Sequence, residues 1–103
     1  MQLLTEYCRN QGVDDAGINL ILREFPDTEF ITPDSVRLAD CMGGTARLKF
    51  TNEQDDLDKI QDVVNRYDKA YADWGFHIDQ FRYQRLLTIC REYYEHLTGT
   101  SGD

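Results

Sequence analysis

Residues 53–74 read EQDDLDKIQDVVNRYDKAYADW. Leu57, Ile60, Val64, Tyr67, Tyr71 and Trp74 are spaced alternately three and four apart, which places them on one face of an α-helix. Glu53, Asp55, Asp56, Asp58, Asp62, Asp68 and Asp73 are assigned to its other faces. The stretch therefore predicts a long helix, apolar on one side and acidic elsewhere. Thr51 or Asn52 caps its start, with Gln54 as the capping-box partner of Thr51, and Gly75 ends it.

Working toward the C-terminus, Phe76-His77-Ile78 is a tight connector. Asp79 caps a last helix running to about Leu97, with Ile78 stapled onto Tyr83. So short a connector predicts an antiparallel hairpin. The long helix would then meet Tyr83, Leu86, Leu87, Cys90, Tyr94 and Leu97. Phe81, Ile89 and Tyr93 make the last helix apolar on further sides. A helix apolar nearly all round is either wrapped by its own chain or covered by a partner. Those three residues are therefore candidate interface positions. Arg82, Arg85 and Arg91 give the same helix a basic edge to set against the acidic edge of the long one.

Working toward the N-terminus, residues 45–51 (TARLKFT) alternate apolar and polar, a strand-like pattern. They could pair with residues 29–31 as a two-stranded ribbon. Thr32-Pro33-Asp34 starts a helix carrying Val36, Leu38, Ala39 and Met42, and Gly43-Gly44 reads as its C-cap. An earlier helix is capped by Asp14 or Asp15, carries Ile18, Leu20, Ile21, Leu22 and Phe25, and stops at Pro26. The first helix spans residues 2–10, with Leu3, Leu4 and Tyr7 inward. The fold expected is mainly α: four or five helices in one domain over residues 1–97, with a flexible tail at 98–103.

At 103 residues the chain can bury one core. Its net charge of −8 makes free nucleic acid and anionic membrane poor partners. No segment reads as a signal peptide or a membrane span. Cys8, Cys41 and Cys90 are odd in number and lack a C-x-x-C spacing, which suits a reducing cytoplasm.

No catalytic or metal signature emerges. His77 and His96 are the available bases, but Cys41 and Cys90 sit on apolar faces where a thiol behaves as a hydrophobe. Asp73, His77 and Asp79 fall short of a ligand set for a metal. Asp55-Asp56-Leu57-Asp58 lacks the Gly and closing Glu of a calcium loop. Gly43-Gly44 lies in no phosphate-binding motif. No cofactor is expected.

The remaining signal is charge. Acids near a helix N-terminus offset its dipole, and Asp55–Lys59 and Asp62–Arg66 have ion-pair spacing. Glu53, Asp56 and Asp58 have no such partner. Turns of a rigid helix would hold these carboxylates about 5.4 Å apart, near the phosphate spacing of a nucleic-acid strand. The reading is a non-enzymatic acidic inhibitor or adaptor that meets a basic protein surface, of the type common in phages and mobile elements. Glu53, Asp55, Asp56, Asp58, Asp62 and Asp68 are its partner-binding residues. The alternative is an assembly protein that forms a homodimer through the last helix.

Overall fold

The structure, a computed structural model, describes residues 1–99 and contains five helices. They are α1 (Leu4–Asn10), α2 (Asp15–Glu24), α3 (Pro33–Ala46), α4 (Glu53–Asp73) and α5 (Gln80–Thr98). The part of the expected tail at 100–103 lies outside the described residues. Thr98 closes α5, and Gly99 follows in the left-handed region at φ 70°.

Most helix boundaries follow from local chemistry. Asp14 accepts from the Gly17 N–H, Thr32 from the Ser35 N–H, and Asp79 from the Arg82 N–H. Each cap satisfies a backbone donor that the helix itself leaves unpaired, a contribution of about 1 kcal/mol. Asn52, rather than Thr51, caps α4, and its amide returns a bond to Asp55. Thr51 instead gives its N–H to Asp56.

The Gly43-Gly44 pair departs from the C-cap reading. Both residues lie inside α3, which continues to Ala46. A Cβ at Gly43 would stand 2.7 Å from the Gln11 carbonyl oxygen at the end of α1. One at Gly44 would stand 2.7 Å from Val63 Cγ1 of α4. The glycines thus permit close approach from two directions.

Residues 45–51 are not a strand. Thr45 and Ala46 complete α3, and the rest is loop. Their alternation still has a use: Leu48 and Phe50 lean on the core, and the Phe50 ring meets Tyr94 edge-on at 5.0 Å. The partner of residues 29–31 is the N-terminus, where Leu3 and Phe30 form an isolated antiparallel bridge. The Leu4 N–H donates to the Glu29 carbonyl, and the Ile31 N–H to that of Gln2.

Helix α3 touches all four other helices, and α5 touches α2, α3 and α4. The core lies between them, built from residues such as Leu4, Ile21, Leu38, Met42, Ile60, Val64, Leu87 and Cys90. Ile89 and Tyr93 are therefore core residues, each 1% exposed, and not an interface. Trp74 also leaves its expected place. Helix α4 ends at Asp73, and the Trp74 side chain is 82% exposed. Val63, outside the expected stripe, is buried beneath Gly44.

Replacing Gly43 by Ala tests this close approach. Helix propensity alone would stabilise α3 by up to about 1 kcal/mol. Overpacking against a backbone carbonyl should prevail, with a net loss of about 1–3 kcal/mol in urea unfolding. A stabilised variant would show that α1 and α3 do not meet there.

Candidate functional site

The acidic face of α4 divides in two. Asp55, Asp58 and Asp62 are exposed and spaced three and four apart, so they share one outward side. Asp58 and Asp62 have no hydrogen bond or ion pair among the described residues, and Asp55 bonds only within its cap. Glu53 is exposed at the first turn. The expected pairs Asp55–Lys59 and Asp62–Arg66 do not form. Lys59 instead donates to the Lys49 carbonyl and stands 3.9 Å from Asp56, while Arg66 lies over the Tyr67 ring.

Asp56 is not a surface anchor. It lies four residues before Ile60, on the inward side, and is 2% exposed. It accepts from the Thr51 N–H at 2.8 Å and from the Tyr94 hydroxyl at 2.8 Å. Burial pushes its carboxyl up. The Thr51 and Tyr94 hydrogen bonds and the Lys59 charge outweigh burial and hold it below the usual range. The Asp56 carboxylate raises Tyr94 in turn, to about 12.

Asp68 is also partly engaged. Its carboxylate faces the Arg37 guanidinium at 3.8 Å and is 29% exposed. Asp73 pairs with Lys69. The basic edge of α5 meets other partners than α4: Arg82 pairs with Asp34 of α3, and Arg85 with Glu24 of α2. The Arg85 hydrogen bond holds the Glu24 carboxyl below its ordinary value.

Two features escaped the sequence reading. Asp40 accepts from Tyr7 at 2.6 Å and from Tyr71 at 2.7 Å, tying α1, α3 and α4 through one carboxylate. Burial, followed by the bond to Asp40, raises both tyrosines far above the ordinary value. The second is Arg37, whose side chain is 1% exposed. It donates to the Phe76 carbonyl and lies over the Tyr71 ring at 5.2 Å, but its Nε and Nη1 have no hydrogen-bond partner. A buried donor left unpaired costs about 1–3 kcal/mol. The sequence did carry a signal: Arg37 lies four before Cys41 and eight before Thr45, on the inward stripe of α3.

All three cysteines are free and buried. Burial pushes the Cys8 thiol up to about 11, and a hydrogen bond with Cys90, then burial, raises Cys41. These are not the surroundings of an activated thiolate. His77 and His96 are exposed. Among the described residues no group of three or more His, Cys, Asp or Glu is placed to hold a metal ion. Nor is any helix among them long and apolar enough to cross a membrane. Of the three candidate interface residues, Phe81 alone is open, at 73% exposure, with Trp74 and Phe76 also exposed nearby in sequence.

No protein-family model, curated protein or solved structure matches the chain.

Asp56 and Tyr94 set opposite ends of the pH profile. A depressed carboxyl contributes stability above its unfolded value, here 3.8, and loses it as pH falls through the folded value. A raised hydroxyl contributes below its unfolded value of 10.0 and loses that contribution as pH climbs toward about 12. Thermal unfolding followed against pH should therefore decline on both limbs. Asp56→Asn should lower stability near neutrality and flatten the acid limb. Asp58→Asn should stay within about 0.5 kcal/mol of the parent. Equal effects of the two changes would contradict the inward placement of Asp56.

Proposed function

We propose that this chain is a non-enzymatic acidic binding protein, an inhibitor or adaptor that engages a basic surface of a partner protein. One observation carries the reading: Asp55, Asp58 and Asp62 form an exposed row on a rigid, capped helix, with no internal cation opposite Asp58 or Asp62 among the described residues. At a rise of 1.5 Å per residue, the row steps by about 4.5 and 6 Å along the helix axis. A groove lined by Lys and Arg for phosphates, such as that of a nucleic-acid-binding protein, offers charges complementary to it. The type is that of small acidic inhibitors of phages and mobile elements. Glu53 adds an exposed charge at the first turn, on another side of the helix from the row, Asp68 is a peripheral contributor because Arg37 draws on it, and Asp56 supports the helix from inside.

In this reading α4 and α5 form an antiparallel hairpin that holds the row in place. Asn65 meets Tyr83 and Asp56 meets Tyr94, so the partner number rises on one helix as it falls on the other. The setting is a reducing cytoplasm, which three buried, unpaired thiols favour.

A second reading has its own observation. Trp74 and Phe81 are large, apolar and exposed at the connector and the start of α5. Self-association would use these residues, since Ile89 and Tyr93 lie inside.

A tagged pull-down at low and high salt separates the two. The Debye length is about 8 Å at 0.15 M and about 3 Å at 1 M, so a charge-led complex weakens steeply across that range. The triple change of Asp55, Asp58 and Asp62 to Asn should abolish capture of a basic partner and leave the fold intact. Recovery of the chain alone, indifferent to salt and to the triple change, would replace the charge reading by self-association.

A further inference from the structure

Of the eleven lysines and arginines in the chain, seven pair with a carboxylate. Two of the remaining four, Arg47 and Arg66, line one open groove of about 430 Å³ where the end of α3 meets α4. Gly44, Leu48 and Tyr67 complete its lining, and no acidic residue belongs to it. Tyr67 relates the two guanidinium groups. Arg47 donates to its hydroxyl at 3.5 Å and to the Gln11 carbonyl at 2.9 Å, and Arg66 lies over its ring at 5.9 Å from the centroid. Both arginines are exposed. Among the described residues Arg66 makes no hydrogen bond, and the Tyr67 hydroxyl donates to no acceptor. Asp62, one turn before Arg66, does not pair with it.

Two like charges on one groove repel each other, and an anion bound between them turns that repulsion into attraction. A carboxylate carries one charge and two oxygens, the complement of a single guanidinium. A phosphate monoester carries nearly two charges at neutral pH and three strong acceptor oxygens. Those match two guanidinium groups and the Tyr67 O–H. The groove also has the size of a small-molecule site, with room beyond the phosphate for an organic body. Leu48 and the Tyr67 ring give that body an apolar flank.

We propose that this groove binds a small-molecule phosphate monoester. Arg47 and Arg66 hold the phosphate, the Tyr67 hydroxyl donates a further bond, and Leu48 flanks the organic body. None of Asp55, Asp58 and Asp62 lines the groove, so this site and the acidic row can be tested separately.

Nuclear magnetic resonance on the full chain near neutral pH provides the test, with phenyl phosphate, phenyl sulfate and inorganic phosphate as probes. Phenyl sulfate keeps the shape with one charge fewer, and inorganic phosphate lacks the organic body. Phenyl phosphate should bind at about 1 mM or tighter, shifting the amides of Gly44, Leu48 and Tyr67 and the Arg66 Nε–H signal. The other two should each bind at least about fivefold more weakly. Arg66→Gln should weaken phenyl phosphate at least about tenfold without changing thermal unfolding, because the side chain is exposed. Arg91→Gln removes an exposed arginine of α5 outside the groove and should leave binding unchanged. Equal binding of the phosphate and sulfate esters, equal binding of inorganic phosphate, equal losses in the two variants, or no shift at about 10 mM would overturn the assignment.

Discussion

Every other helix leans on α3, and the constraint that makes this possible is the absence of two side chains. At Gly43 the end of α1 comes close enough that a methyl group would strike the Gln11 carbonyl. At Gly44, Val63 of α4 fills the space a Cβ would need. Glycine in a helix interior costs about 1 kcal/mol in propensity. Close packing on both sides of α3 offsets that cost, because apolar burial contributes about 25 cal/mol per Å². With α3 fixed from both sides, α5 runs against α2, α3 and α4 and buries more than one of its faces.

The same central helix gathers the buried polar groups. Asp40 receives hydroxyls from α1 and α4, and Arg37 reaches the connector carbonyl and the edge of Asp68. Removing one partner from such a network leaves a buried group unsatisfied, which costs more than the bond itself contributes. The acidic exterior follows a different logic. Asp55, Asp58 and Asp62 remain solvated, and the positions beneath them are held by Asp56, Ile60 and Val63. Core and acidic row thus share one helix but occupy different sides of it.

Much of this architecture was legible in the sequence, and what was not has definite causes. Cap residues act through bonds a few positions away, so Thr32 and Asp79 were readable from spacing alone, and Asp14 was one of two candidates for its helix. The expectation of four or five helices and the inward alternation of Ile60, Val64 and Tyr67 followed from period. Gly43-Gly44 misled because the same pair serves a C-cap or a close approach, and only tertiary neighbours distinguish them. Residues 45–51 misled because an irregular segment lying on a core also alternates. Asp56 misled because its charge was read as exposure, although it lies at an inward position of α4. At the candidate site, the exposed acids were legible, whereas the contacts of Asp40 and Arg37 were not. Those contacts depend on several helices and a connector meeting, which no local pattern encodes.

The most direct test of α3 as the organising element is native-state hydrogen exchange, resolved by residue. Amides inside α3, from Leu38 to Thr45, should exchange only through global unfolding and carry the full stability of the chain. Helix α1, a seven-residue element that packs chiefly on α3, should open at lower free energy. If α3 instead exchanges through local opening while α4 and α5 stay protected, those two helices stand without it. Central placement of α3 would then be wrong.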